Sequence, residues 1–351
     1  MAATSEYWVG ATIGEGSYGK VVHARHKATE KNVAIKVVTK LSIRKDPRRK
    51  NEILKEKMLL TTLNSNYVVS LWASFHDEEC VYLVMECMEG GDLEQAIRHG
   101  RSKMLTQIVK PILAESACTK CIGDEWTRVV IPHFANQLLS AIEFIHSRQV
   151  IHCDLKPQNI VLTSGGDLKL NDFGSAIFLT DGFSSVDSDR KHDSIMGTAE
   201  YASPEVIRGT ISPSFGIDLW SLGCIFYTMW EGVSPFQDAT QALVIQRIMN
   251  HVSKTENHDL NSLFMTERWE TMVNELLVLE PSRRLGMNDL SIENQGKIIY
   301  SSIRENLSIE SESEAEVKEI LLATIALPAW SIDANIATYR DGAKGWSTFL
   351  L

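Results

Sequence analysis

What this chain lacks narrows it first. Nowhere do eighteen apolar residues run together, so no membrane-spanning helix is expected. The opening MAATSEYWVG has no basic stretch leading into an apolar core, so no secretory leader is expected. An excess of positive charge is missing too. With 35 Lys and Arg against 45 Asp and Glu, the net charge of −10 argues against wholesale binding to nucleic acid or anionic membrane. The six cysteines, Cys80, Cys87, Cys118, Cys121, Cys153 and Cys224, are too scattered for a disulfide framework. They read as reduced thiols of an intracellular protein, with the cytoplasm the expected compartment and the nucleus left open. No internal repeat is present. What remains is an ordinary globular composition, 44% hydrophobic and 23% charged. Its 351 residues suffice for one large two-lobed domain or two small ones.

The first 85 residues read as strand-rich. YWVGATI and KVVHARH flank a glycine-rich turn, NVAIKVV follows, and YVVSLWASF and CVYLVMEC look like two further strands. Between them, residues 49–62 read as one helix, with Ile53, Lys57 and Leu60 on one face and Leu54 and Met58 beside it. From about residue 90 the pattern turns helical. In HFANQLLSAIEFIH, Phe134, Leu138, Ile142 and Ile145 form one apolar stripe. Residues 216–231 are apolar almost all round, which predicts a helix buried at the centre of a lobe. The expected class is α+β: a small β-rich lobe with one long helix, then a larger, mainly helical lobe. The expected division is 1–88 for the small lobe and its exit, 89–307 for the large lobe, and 308–351 for a tail. An insertion at about 101–122 interrupts the large lobe. The tail opens on the acidic run SIESESEAEVKE, read as a solvated linker or the start of an exposed helix.

Gly14, Gly16 and Gly19 form a G-x-G-x-x-G pattern in IGEGSYGKVV. The same spacing opens dinucleotide-binding units, but there a helix follows. Here the β-branched KVVHARH follows, so the turn is a hairpin whose backbone amides can close over phosphates. VAIK then places Lys36 seventeen residues after Gly19, where an ammonium can bridge the α- and β-phosphates of ATP. A glutamate must hold it, and Glu56 on the predicted helix is chosen over Glu52. HCDLKPQN supplies Asp154 to orient and deprotonate an acceptor hydroxyl, Lys156 to neutralise the γ-phosphate, and Asn159 for a metal. A lysine at position 156 points to Ser/Thr rather than Tyr acceptors. LNDFGSA gives Asp172 as the main Mg²⁺ ligand, since oxygen donors with phosphates and water suit that ion. ASPE closes the series at Glu205.

In this order and at these gaps, the series resembles the eukaryotic protein kinases, from Tyr7 to Leu307 without the insertion. MGTAEYASPE and LLVLEPSRRLG are most similar to the phosphoinositide-dependent kinases of the AGC group. The resemblance implies an ATP- and Mg²⁺-dependent Ser/Thr kinase acting on protein substrates, with activation loops of other AGC kinases as one substrate class. It implies a nucleotide site lined by Ile13, Gly14, Glu15, Gly16, Ser17, Tyr18, Gly19, Val21, Ala34, Lys36, Met85, Glu86, Met88, Asp92 and Val161. Met85 would be the gatekeeper and Glu86–Met88 the hinge. It further implies that Asp218 braces the catalytic loop, that Arg284 pairs with Glu205, and that Ser194 and Thr198 are regulatory. Ile43, Ile53, Lys57 and Val81 resemble the groove that receives a hydrophobic-motif peptide in AGC kinases, although Arg44 stands where an apolar residue is expected.

The chief departure is Cys153, which replaces the arginine of the H-R-D catalytic loop. That arginine and a basic residue after D-F-G, here Ile177, commonly grip an activation-loop phosphate. With both gone, Lys55 is the remaining candidate cation for a phosphate at Ser194, which also has Asp193 beside it. The loss spares every residue assigned to ATP, metal or acceptor, so it is read as regulatory. Cys118 and Cys121 with His133 make a poor zinc site, one pair without a second. A pseudokinase scaffold would require loss of Lys36, Asp154 or Asp172, and all three are present. The alternative within the class is another AGC or a calcium/calmodulin-type Ser/Thr kinase.

Overall fold

The computed structural model describes residues 3–16, 19–102, 125–179, 199–209, 213–251, 262–290, 298–307, 314–324 and 340–341. Ser17, Tyr18, Cys118, Cys121, Asp193, Ser194 and Thr198, all singled out from the sequence, lie outside them. Among the described residues no helix is long and apolar enough to cross a membrane. The chain divides into two compact units, one of Met1–Gly91, Val161–Gly174 and Leu327–Leu351, the other of Asp92–Ile160 and Ser175–Ala326.

The first unit is built on strands β1 (Tyr7–Gly16), β2 (Gly19–His26), β3 (Asn32–Thr39), β4 (Leu71–His76) and β5 (Cys80–Glu86). They pair antiparallel in the order β1-β2-β3-β5-β4. Strand alternation sorts their side chains onto two faces. Tyr7, Val9, Val22, Ala24, Val33, Ile35, Val37, Tyr82 and Val84 bury themselves in one core. Val21, Ala34, Lys36, Leu83 and Met85 fall on the other face, so the residues read as adenine- and phosphate-facing share one side of the sheet. Gly19 sits at φ +148°, and a Cβ there would run into the Val37 carbonyl, so the hairpin needs glycine at that position.

Two helices follow β3: α1 (Lys40–Lys45), capped by the Thr39 hydroxyl on the Ser42 N–H at 3.2 Å, and α2 (Arg48–Thr62). On α2 the buried residues are Ile53, Glu56, Leu59 and Leu60, while Leu54 and Met58 are exposed. Of the face read from the sequence, Ile53 and Leu60 are buried, Lys57 is exposed, and Leu54 and Met58 lie beside it. The helix turns the side of Glu56 to the sheet, because that carboxylate meets Lys36 there, and Leu54 and Met58 are rotated outward. The strand read over YVVSLWASF starts only at Leu71. Before it, Tyr67 and Val69 instead exchange backbone hydrogen bonds with Leu170.

Residues Arg340–Asp341 form a short strand that adds to the outer edge of β1, in register Trp8 with Asp341 and Val9 with Arg340. Nothing in the sequence pattern marks this pairing. The hairpin of β7 (Ile160–Leu162) and β8 (Leu168–Leu170) carries the chain to Asp172.

The second unit is helical. Residues 93–102 form α3, and α4 (Ile131–His146) follows a π-turn at Trp126–Val130. After the short α5 (Pro204–Arg208), helix α6 (Gly216–Glu231) is buried at every position, as its all-round apolarity predicts. Helices α7 (Gln241–Met249), α8 (Glu267–Leu276) and α9 (Ser301–Leu307) complete the unit together with α10 (Glu314–Thr324), which begins within the acidic run. Strands β6 (Val150–Ile151) and β9 (Ile177–Phe178) pair antiparallel on either side of the catalytic-loop sequence and the D-F-G sequence.

Candidate active site

In the first unit, Lys36 stands at the centre of β3. Its Nζ donates to both carboxylate oxygens of Glu56 at 2.8 Å and to Asp172 Oδ1 at 3.2 Å. Lys36 and Glu56 are nearly inaccessible, with side-chain exposures of 11% and 3%, while Asp172 keeps 28%. Burial works against the ammonium, but the two carboxylates outweigh it and hold Lys36 charged above the ordinary lysine range. Burial pushes the Glu56 carboxyl up, Lys36 pulls it part of the way back, and Asp172 adds to the push. Of the two acidic residues on α2, Glu56 is the one whose carboxylate receives both of the 2.8 Å bonds from Lys36. Asp172 sits in the left-handed region at φ +61°, a conformation that costs a non-glycine residue about 1–3 kcal/mol.

Ala34 pairs with Met85 and Val21 with Lys36, which places the expected purine-side residues next to the expected phosphate-side lysine. Met85 and Met88 are buried and Val161 is half-buried. The side chain of Glu86 is committed elsewhere: both its oxygens accept from Lys169 Nζ, at 2.9 and 2.7 Å. What Glu86 offers a nucleotide is therefore its main chain. Glu15 is exposed and lies 3.7 Å from Lys20. Ile13 and Gly14 are half-buried on β1.

On the helical side of the same unit, a groove of about 420 Å³ lies among α1, α2, β4 and β5. Ile43, Ile53, Leu54, Phe75, Val81 and Leu83 make its apolar floor, and Lys40, Arg44, Lys50 and Lys57 ring it. All four residues read as groove-forming line it. Arg44, the residue that broke the apolar pattern, joins this cationic rim.

In the second unit, the loop after β6 presents Asp154. Its carboxylate accepts from Lys156 Nζ at 3.1 and 2.9 Å and from Asn159 Nδ2 at 2.9 Å, and Asn159 also holds the Asp154 carbonyl at 2.8 Å. Asp218, wholly buried at the start of α6, accepts from the backbone N–H groups of His152 (2.8 Å) and Cys153 (3.0 Å) and from His146 Nε2 (2.8 Å). Burial opposes ionisation of Asp218, but these hydrogen bonds and the adjacent histidines prevail and lower its pKa. His146 Nδ1 is met at 2.6 Å by the Tyr300 hydroxyl, a partner not foreseen from the sequence. Cys153 is half-buried, packed against the cluster of Ile151, Phe215 and Ile217. Glu205 and Arg284 form a double ion pair at 2.7 and 2.8 Å, and Arg284 also donates to the carbonyls of Gly216 and Val278. Asp92 caps the helix of residues 93–102, accepting from the Gln95 N–H at 2.8 Å, which gives that residue a structural duty.

The residues assigned to a metal, Asp172 and Asn159, offer only oxygen among their ligating atoms. Such a set fits Mg²⁺ better than a soft transition metal. Among the described residues no group of three or more His, Cys, Asp or Glu is arranged to hold a metal by itself.

The protein kinase domain model matches residues 7–294. The chain is 34% identical over 287 residues to 3-phosphoinositide-dependent protein kinase 1 of Arabidopsis thaliana, covering 80% of this chain and 52% of that protein. It is 30% identical over 328 residues to the Mus musculus protein of the same name, covering 93% and 52%. To the putative 3-phosphoinositide-dependent protein kinase 2 of Homo sapiens it is 29% identical over 341 residues, covering 97% and 76%. The chain thus spans about half the length of the first two relatives.

Proposed function

The chain belongs to the protein kinase family, and we propose that it is a serine/threonine kinase that transfers the γ-phosphate of ATP to hydroxyl groups of protein substrates. The observation that carries this reading is the buried Lys36–Glu56–Asp172 ion triad. A lysine held charged between two carboxylates, on the sheet face that also bears Val21, Ala34 and Met85, is arranged to receive phosphates. Glu56 fixes the ammonium, and Lys36 would bind the α- and β-phosphates. The hairpin of Gly14, Gly16 and Gly19 would close over them with its backbone. Asp154 would orient the acceptor hydroxyl and take its proton, and Lys156, already on Asp154, would meet the transferring phosphoryl group. Asp172 and the Asn159 amide oxygen would hold Mg²⁺, which neutralises charge on the phosphates when bound.

Activation loops of other AGC-type kinases are the substrate class proposed, on the similarity to the phosphoinositide-dependent kinases. The groove on α2 supports a docking role. Its apolar floor suits aromatic side chains, and its four cations suit an acidic or phosphorylated flank. The occupant proposed is a hydrophobic-motif peptide of a substrate kinase. The proposed division stays 1–88, 89–307 and 308–351, and the cytoplasm is the proposed compartment, on the scattered spacing of the cysteines in the sequence.

The test is Mg²⁺-dependent ATP turnover by the purified chain on Ser/Thr peptide libraries. Phosphate should appear on Ser or Thr and vanish with Asp154→Asn. Absence of turnover with nucleotide binding intact would move the chain to a scaffold.

A further inference from the structure

Lys169 is almost fully buried, at 9% exposure, in the middle of β8. Its neighbours Leu168 and Leu170 point the opposite way into the core, as strand alternation requires. The ammonium finds both oxygens of Glu86. Glu86 is the last residue of β5, where the chain leaves the sheet for Cys87 and Met88. Its backbone N–H donates to the Ser70 carbonyl at 2.9 Å, and its carboxylate also accepts from the Ser70 N–H at 3.3 Å. The β7–β8 hairpin is tied to the same stretch again by Gly90 N–H to Leu162 O and Leu162 N–H to Gly91 O, both at 2.8 Å. Past Lys169 the strand is fixed by Leu170 N–H to Tyr67 O at 2.8 Å and Val69 N–H to Leu170 O at 3.0 Å. Two residues later the chain enters the left-handed turn of Asp172, whose Oδ1 meets Lys36.

We propose that Lys169 is a positioning residue for nucleotide binding. By gripping Glu86 it sets the main chain of Glu86–Met88 against the purine, and through β8 it fixes that edge relative to Asp172. The inference rests on the nucleotide site proposed above. A buried lysine is an expensive way to fill space, and its partner is itself 76% shielded at the side chain. Neither charge belongs to the residues assigned above to phosphate, metal or acceptor, and the two are spent on each other. The ion pair has one geometric consequence: it joins the exit of β5 to the strand that delivers Asp172. Losing the lysine leaves a half-buried carboxylate without its cation. That carboxylate must turn toward water, and the main chain that carries it must move.

The test is a double-mutant cycle of Lys169→Met and Glu86→Gln, with Lys169→Arg as the conservative variant. Steady-state KM for ATP and kcat are measured on a peptide, with thermal stabilisation by Mg-ADP as a readout independent of phosphotransfer. Lys169→Met should raise KM for ATP about tenfold while kcat changes less than about threefold, and should weaken Mg-ADP binding in parallel. Lys169→Arg should recover much of the loss. The double variant should lie closer to wild type than Lys169→Met alone, because it removes the stranded charge. An unchanged KM in Lys169→Met overturns the proposal, as does a fall confined to kcat or to melting temperature. If the wild-type chain binds Mg-ADP but has no turnover, the kinase reading fails while the ADP arm still decides the role of Lys169.

Discussion

Cys153 sits in the left-handed region at φ +65°, and its backbone N–H donates to Asp218 Oδ1 at 3.0 Å. A cysteine has no intrinsic preference for that conformation, which costs about 1–3 kcal/mol. The carboxylate of Asp218 offsets the cost by taking the N–H groups of both Cys153 and His152. The loop that presents Asp154 is therefore shaped by a buried charge on α6, whatever side chain occupies position 153.

Asp218→Asn should loosen that loop. Its carboxyl is depressed in the folded chain, so its stabilisation is present above the unfolded value of about 3.9 and is lost as pH falls through the lower folded value. The expected cost at pH 7 is about 3 kcal/mol, since the amide puts a donor against donors. Thermal melts of wild type and variant should differ most near neutral pH, and the gap should begin to narrow below about pH 4 and close only under the lower folded value. A gap that stays constant with pH would mean that Asp218 contributes through packing alone.

Lys36→Met and Asp154→Asn should fail differently. Either change should reduce turnover by about 10²–10³, the usual worth of such an electrostatic group. Asp154→Asn should keep nucleotide binding nearly intact, whereas Lys36→Met strands Glu56 and Asp172 and should weaken it. Mg-ADP titration calorimetry separates the two, and an Asp154→Asn variant retaining most activity refutes its assignment.

Glu205→Gln should destabilise the second unit. Arg284 is buried and holds both oxygens of Glu205, and breaking such a pair from one side costs about 3–5 kcal/mol. Denaturant unfolding should show the loss, and a change below about 1 kcal/mol would place that pair with weak surface ion pairs.

The groove on α2 should take an aromatic hydrophobic-motif peptide, with affinity rising when the peptide is phosphorylated. Ile53→Glu should abolish binding. Because Ile53 is also core, Leu54→Glu, at an exposed position on the same floor, is the variant that spares folding. Fluorescence anisotropy that shows equal binding by wild type and Leu54→Glu contradicts the docking role.

Ser194→Ala should retain most activity, and phosphatase treatment should change little, because Cys153 and Ile177 stand where phosphate-gripping cations would be. A tenfold fall, about 1.4 kcal/mol of barrier, would reveal a phosphate pocket that those substitutions did not remove.

Much of this protein was written locally. Glycine spacing followed by β-branched residues fixed a hairpin rather than a strand–helix turn. Period-2 alternation put Val21, Ala34, Lys36 and Met85 on one sheet face, and the apolarity of residues 216–231 fixed a central buried helix. These follow from the chain alone because backbone geometry and burial preferences act over a few residues. The partners of charged groups were legible only where the spacing of a known motif pointed to them, as for Glu56 and Lys36 or Glu205 and Arg284. Lys169 with Glu86, Tyr300 with His146, and the edge pairing of residues 340–341 on β1 were not legible. A lone lysine in a short strand or a tyrosine near a chain's end looks like any other. Their roles arise when residues 83, 154 or more than 330 positions apart are brought together. Which face of α2 was buried was likewise decided in the fold, because the Glu56 carboxylate lies beside Lys36 and that contact turns Leu54 and Met58 outward.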